Sequence, residues 1–288
     1  MASAPYRVVQ WATGNIGLRS LRAVIEHPDL ELVGLYVYSD VKAGKDAGEL
    51  CGLAPVGVTA TRDVDEILAL RPDCVLFMGD RADVDVLCRV LESGANVVST
   101  RSEFHRPASM DPSVRARLEA ACATGHSSLF STGSSPGFIT EALPFALLSL
   151  QRRLDRLTID EFADMSSRNS PEMIFDLMGF GRAPEHFDPR GVEAHGGASF
   201  AGSLAVVADA LSLPLDDVVA SGHVAVATKT IEIAAGTVEA GTIAAQRLEV
   251  TGTHEGRPLL TFRANWYLTP EVDPVSYTHL TLPTKRIV

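Results

Sequence analysis

At 288 residues the chain has room for two domains, and its 46% hydrophobic and 21% charged content is ordinary for a folded globular protein. Its 25 Lys and Arg against 36 Asp and Glu leave a net charge of −11, which argues against duplex nucleic acid or an anionic membrane as partner, since both want clustered cations. No run approaches the roughly 18 consecutive apolar residues of a membrane span, and the first strand starts too early to leave room for a signal peptide.

Cys51, Cys74, Cys88 and Cys122 have no metal-like spacing. Packed free thiols and a cytoplasmic location are therefore expected.

In chain order, Val8, Val9 and Trp11 form a short apolar run that enters the turn Ala12-Thr13-Gly14-Asn15-Ile16-Gly17. Leu18, Leu21, Val24 and Ile25 then recur at helical spacing until His27-Pro28. Strand, tight turn and helix together aim free backbone N–H groups and a helix N-terminus at a phosphate. The turn reads as a G-x-G-x-x-G fingerprint with Ala12 in the first glycine position, where a small residue is expected to serve. Gly14 would let a pyrophosphate approach the backbone, and Gly17 would let the helix pack close to the strand.

Further strands are predicted over 31–38, 74–78, 96–100 and 127–132, alternating with helices over 63–70, from Val84 to Ser93-Gly94, and over 112–123 and 139–150. The strands are apolar throughout, as expected when helices cover both faces of a parallel sheet. Residues 1–150 are thus expected to form an α/β dinucleotide-binding domain, a Rossmann-like doubly wound parallel sheet. Ligands of such a sheet bind at the carboxyl ends of the strands. That selects five loops: the Gly turn, the loop after Tyr38, Gly79-Asp80, the loop after Thr100, and Ser134-Ser-Pro-Gly137.

Residues 151–274 read differently, as an α+β substrate and dimerisation domain with a mostly antiparallel sheet. Leu157, Ile159, Glu161 and Ala163 alternate as in a half-buried strand. A helix over 171–178 is expected to be capped by Ser170 with Pro171 in its first turn. The segment 180–197 is loop-rich, 201–211 is helical, and 223–234, 241–252 and 258–267 read as consecutive antiparallel strands. Residues 275–288 look foreign. Val275-Ser-Tyr-Thr-His-Leu-Thr-Leu-Pro-Thr284 resembles a translated sequencing-library adapter of the kind that recurs at the ends of metagenome-derived reading frames, so the natural protein is expected to continue beyond Asp273.

Several side chains could carry chemistry. Asp40 lies 23 residues after Gly17, near the about 20-residue spacing of an acid that bonds an NAD ribose hydroxyl. Ser39, Lys42 and Lys45 around it would suit the 2′-phosphate of NADP, so NADP is the expected cofactor, with NAD the alternative. Gly79, Thr100 and Pro136 would line the dinucleotide cleft. Glu103 follows the fourth strand and could act as a general acid/base or as the anionic partner of an ammonium or iminium group, or simply pair with Arg101 or Arg106. His105 could relay protons or sit as an ordinary loop histidine. Asp164-Met-Ser-Ser-Arg168 could wall a substrate pocket, although Met165 and Phe138 read more simply as core. His186 and His195 lack a third partner, so no metal site is expected, and the G-x-S-x-G spacing of a serine hydrolase is absent.

With the Gly turn, Lys42-Ala-Gly-Lys-Asp-Ala-Gly-Glu-Leu-Cys-Gly52, Asn96-Val-Val-Ser-Thr100 and Ser135-Pro-Gly-Phe138 in view, the chain resembles the actinobacterial branch of proteins with a dihydrodipicolinate-reductase N-terminal domain. That branch lies near 2,4-diaminopentanoate dehydrogenase and the native amine dehydrogenases. The resemblance implies NAD(P)H-dependent reductive amination of a ketone or aldehyde with ammonia, and the reverse oxidative deamination. It also implies that the glutamate holding the ammonia-derived nitrogen is Glu103. Many relatives carry a Glu-Glu pair where this chain has Ser102-Glu103 between Arg101 and Arg106. The His-His and Lys-x-Asp-Ala-Pro-Ser-Gly-Thr signature of true dihydrodipicolinate reductases is absent. The expected partners are a small ketone or amine and ammonia, with a homodimer as the assembly. A reductase of another carbonyl or imine, and a non-catalytic NAD(P)-binding sensor, are the alternatives.

Overall fold

The computed structural model describes residues 4–187 and 197–274. The tail at 275–288 and His195 lie outside them. Two compact units divide between Gly137 and Phe138.

In the first unit, β1 (Tyr6–Trp11), β2 (Leu30–Tyr36), β3 (Ala60–Thr61), β4 (Cys74–Phe77), β5 (Asn96–Ser99) and β6 (Leu129–Ser131) form one parallel sheet in the order β3-β2-β1-β4-β5-β6. The chain reverses its direction of winding between β1 and β4, and a ligand crevice opens at the carboxyl ends of strands at such a switch point. Sequence periodicity predicts five of these strands. The sixth, β3, is too short to show a pattern and is defined by pairing of Leu35 with Ala60 and Tyr36 with Thr61. β2 ends at Tyr36, two residues earlier than its apolar run suggests.

Helices α1 (Asn15–Glu26), α2 (Ala47–Leu50), α3 (Val64–Ala69), α4 (Val84–Glu92) and α5 (Pro112–Gly125) link the strands. Each of the longer ones buries one stripe: Leu21 and Val24 from α1, Leu87, Val90 and Leu91 from α4, Leu118 and Ala121 from α5. Such residues contribute about 1.5–3 kcal/mol each when fully buried, which sets the faces the helices present. Asp63, Asp83 and Asp111 cap α3, α4 and α5 by accepting backbone N–H groups of the first turn.

In the second unit, a π-helical turn (Phe138–Ala142) runs into α6 (Leu143–Leu148). The sequence assigns this segment to the first domain, whose expected limit is residue 150. In the structure the fully buried Ser203 hydroxyl is hydrogen-bonded to Thr140 Oγ1 and to Glu141 Oε1, at 2.7 Å each, and Phe145 packs on the second unit's core. That core lies between α7 (Ala198–Leu211) and a five-stranded sheet of β7 (Leu157–Asp164), β8 (Asp217–Ala227), β11 (Ile243–His254), β12 (Arg257–Tyr267) and β13 (Val272–Pro274), ordered β13-β8-β11-β12-β7. β9 (Ile231–Ile233) and β10 (Gly236–Val238) form a separate hairpin, so the run expected over 223–234 is broken at Thr228-Lys229-Thr230. The sheet is antiparallel except where β12 meets β7.

Phe200 of α7 stacks on Phe262 with ring centroids 4.2 Å apart, and Leu204, Val207, Leu248, Val250 and Leu260 complete the layer. The expected cap at Ser170 does not form: the segment Glu172–Leu177 is a π-helical turn with Pro171 at its N-cap and no side-chain cap bond. Proline's fixed φ starts that turn without a side-chain acceptor.

Among the described residues no helix is long and apolar enough to cross a membrane. The four cysteines are free and half-buried, and burial pushes the thiols of Cys51, Cys74 and Cys88 up.

Candidate functional site

The turn after β1 is braced from below. Gln10 is fully buried and donates through Nε2 to the carbonyls of Ala12 at 3.0 Å and Trp11 at 3.2 Å. Ala12 has φ +73°, a left-handed conformation that favours glycine. The expectation that any small residue serves there equally is therefore corrected: alanine fits the space but strains the backbone. A Cβ on Gly17 would meet the carbonyl oxygen of Ala12 at 2.3 Å, so α1 can seat against the turn only without one.

A Cβ on Gly14, by contrast, would meet nothing within 4 Å. Gly14 is the N-cap of α1, with no side-chain cap bond and no acid in the first turn. The N–H groups at this helix start are left for a partner from outside, whereas α3, α4 and α5 are each closed by an aspartate. Thr13 is buried; Asn15 and Ile16 are exposed. An open, uncapped helix start above a glycine with free space fits a pyrophosphate group.

The loop after β2 approaches the same turn. Lys42 Nζ donates to the carbonyl of Thr13 at 2.8 Å and meets its Oγ1 at 3.1 Å. The carbonyl of Ser39 accepts the N–H groups of Lys42 and Ala43, both at 3.1 Å, which folds the loop back. Asp40 forms an ion pair with Arg62. Arg62 escaped the sequence reading because it follows β3, the strand too short to be recognised.

An aromatic wall lies across the ends of β1, β2 and β4. Trp11 stacks on Tyr36 at 3.9 Å and on Phe77 at 5.7 Å, and Tyr38 meets Tyr36 edge-on at 5.3 Å. The Trp11 indole N–H donates to the Tyr38 hydroxyl at 3.1 Å. Burial raises the pKa of that hydroxyl and the indole bond offsets it in part. A Cβ on Gly79 would lie 2.9 Å from the Tyr38 hydroxyl, so Gly79 is the residue that lets this ring reach the end of β4. The available signal was three aromatics at the ends of adjacent strands.

Beyond β5, Thr100 is exposed and Glu103 sits in a single helical turn, Ser102–Phe104. Arg101 Nε donates to Glu103 Oε1 at 2.9 Å and Arg101 Nη2 lies 2.7 Å from the same oxygen. Arg101 Nη1 also donates to the carbonyl of Asp80. Both ring nitrogens of His105 are buried without a hydrogen-bond partner among the described residues, so no hydrogen bond joins His105 to Glu103. The loop before the second unit is tight: Ser135-Pro136 is cis, Pro136 is half-buried, and the Ser135 hydroxyl is buried without a partner among the described residues. Met165 is buried in the second unit's core, whereas Phe138 is 55% exposed. Among the described residues no cluster of three or more His, Cys, Asp or Glu could hold a metal ion.

No protein-family model matches the chain. An amine dehydrogenase of Streptomyces virginiae is 33% identical over 277 residues, spanning 92% of this chain and 76% of that protein. The chain belongs to the amine dehydrogenase family. A 4-hydroxy-tetrahydrodipicolinate reductase of Synechocystis is 38% identical over 63 residues, 22% of this chain and 23% of that one. Among solved structures, amine dehydrogenase from Mycobacterium smegmatis superposes with a TM-score of 0.68 at 17% identity, covering 92% of this chain and 79% of that one. The WlbA dehydrogenase of Bordetella pertussis, solved with NADH and UDP-GlcNAcA, does so with a TM-score of 0.51 at 16% identity, covering 93% and 68%. At these identities the structural likeness establishes a fold that the amine dehydrogenase family shares with a wider set of dehydrogenases.

The strained turn yields a test. Ala12→Gly should raise stability by about 1 kcal/mol, because relief of the left-handed backbone outweighs the added entropy of glycine. Gly17→Ala should lower it by about 1–3 kcal/mol through overpacking against the Ala12 carbonyl. Urea denaturation of both variants measures this, and a neutral Gly17→Ala would show that α1 is not seated as described.

Proposed function

We propose that the chain is an NAD(P)H-dependent amine dehydrogenase, catalysing reductive amination of a ketone or aldehyde with ammonia and the reverse oxidative deamination. The observation that carries this is its 33% identity to the Streptomyces virginiae amine dehydrogenase across 92% of the chain. The open helix start at Gly14 and the carboxylate of Glu103 beyond β5 support it.

The backbone amides at Thr13, Gly14, Asn15 and Ile16 would hold the pyrophosphate, with Ala12 and Gly17 shaping the turn and Lys42 supplying charge through Thr13. Ser39, Asp40 and Arg62 would meet the adenosine end, and Gly79, Thr100 and Pro136 would line the path toward the nicotinamide. When bound, the nicotinamide supplies or accepts the hydride. Glu103 would bind ammonia through its carboxylate, take a proton as the nitrogen attacks the carbonyl carbon, and return one to the departing hydroxyl as water leaves. Carbonyl, ammonia, hydride and one proton go in, and amine and water come out. No metal is required by this scheme.

Nicotinamide oxidation at 340 nm with a ketone panel tests the reading. Ammonia-dependent oxidation of NADPH is expected, and Glu103→Gln should reduce it by about 100-fold or more, in the range of a lost general acid/base. Turnover without ammonia would instead indicate a carbonyl reductase, and cofactor binding without turnover a sensor.

NADP is the cofactor we favour, since Arg62 adds a cation at Asp40 to the loop that carries Ser39, Lys42 and Lys45. Arg62→Ala should weaken NADPH binding about tenfold more than NADH binding, the order of one charge-assisted contact. Lys42→Ala should weaken both, because its amine braces Thr13. Equal loss of the two cofactors in Arg62→Ala, read by fluorescence titration, rejects a 2′-phosphate contact.

We also propose a homodimer formed through the second unit's sheet. The face opposite α7 exposes Phe162 and Val219 around a network in which Arg263 pairs with Glu249 at 2.5 Å and Asp160 at 3.4 Å. Light scattering after gel filtration should give twice the chain mass and Phe162→Glu should give the monomer; a monomeric parent chain excludes the assembly.

A further inference from the structure

Arg101 holds a position that the proposed chemistry does not use, and it is fixed from three directions. Its backbone N–H donates to the Ser99 hydroxyl at 3.2 Å, and its carbonyl accepts from the Ser131 hydroxyl at 2.7 Å. Ser99 and Ser131 are buried and directly paired across β5 and β6. Its guanidinium reaches the Asp80 carbonyl beyond β4 and, through Nε and Nη2, Glu103 Oε1. One residue, through its backbone and its guanidinium, thereby ties the carboxyl ends of β4, β5 and β6 to the glutamate.

An exposed ion pair two residues apart would ordinarily contribute little, because two mobile side chains must be ordered to form it. Here one partner is already ordered. The side chains of Arg101 and Glu103 are 30% and 40% exposed, and both guanidinium contacts converge on Oε1. Among the described residues Oε2 accepts no hydrogen bond from the protein. The fork of arginine holds that one oxygen with two donors from a fixed direction, which the point charge of lysine does not.

We propose that Arg101 is a positioning residue for reductive amination: it clamps Glu103 by Oε1 so that Oε2 is presented, in one orientation, to the ammonia-derived nitrogen. This rests on Glu103 being the ammonia-binding group. Beside the glutamate stands a guanidinium whose own backbone is held by Ser99 and Ser131. The clamp orders the base without adding a second negative charge, so the site recognises ammonia through one oriented acceptor.

Steady-state kinetics of the full chain with ammonium chloride, NADPH and the ketone turned over best test this, comparing Arg101→Ala, Arg101→Lys, Glu103→Gln and the double variant Arg101→Ala/Glu103→Gln. Loss of orientation should lower kcat/KM for ammonia by about 10- to 100-fold in Arg101→Ala, with the NADPH dissociation constant within about twofold of the parent. Added guanidinium chloride should restore part of the loss, Arg101→Lys should recover less than the parent, and Arg101→Ala should cost nothing further in the Glu103→Gln background. Unchanged ammonia kinetics in Arg101→Ala beside an inactive Glu103→Gln overturns the clamp and leaves the role of Glu103 standing. Full amination by Glu103→Gln overturns the reading beneath it. Crystal structures provide a readout independent of turnover: Glu103 should occupy one conformer in the parent and several in Arg101→Gln, and a single unchanged conformer in the variant overturns the proposal.

Discussion

The close approach of Gly17 to the Ala12 carbonyl is the constraint on which the turn after β1 depends. Because no side chain stands between them, α1 begins directly over β1 and its first amides are left uncapped. The buried Gln10 amide holds the two following carbonyls, of Trp11 and Ala12, so the turn keeps its shape although Ala12 occupies a backbone conformation that glycine adopts more easily. Local strain at a ligand-binding turn persists where the surroundings over-determine it. Here the determinants are Gln10 from below, Gly17 from the helix and Lys42 from the β2 loop.

Charges meet the strand ends in a consistent way. Lys42 engages Thr13, Arg62 engages Asp40, and Arg101 engages both Asp80 and Glu103. A chain of net charge −11 thus places cations at the carboxyl ends of its parallel sheet.

The second unit is held by different means. Phe200, Leu204 and Val207 of α7 cover one face of a mixed sheet, while the other carries Arg247, Glu249, Arg263 and Asn265 in hydrogen-bonded pairs. Desolvation lowers the pKa of the Arg247 guanidinium on that face, and the neighbouring charge of Arg263 adds to the effect.

By itself the sequence determined the α/β character of the first half, the Gly turn, five of six parallel strands, and the placement of Glu103 just beyond β5. These follow from apolar runs and glycine spacing, which are local properties of the chain. The resemblance carried by its motifs pointed to the family that the Streptomyces virginiae relative then established. Tertiary structure alone decided the rest. β3 exists only because Ala60 and Thr61 find the end of β2. The strain at Ala12 depends on where α1 seats, not on residue size. The segment 139–150 reads as the last helix of the first domain because its apolar content fits either unit, and the bonds of Ser203 attach it to the second. Arg62, Tyr38 and Arg101 acquire their places through contacts with residues distant in the chain or across strand ends, and spacing cannot encode which cation will meet which carboxylate.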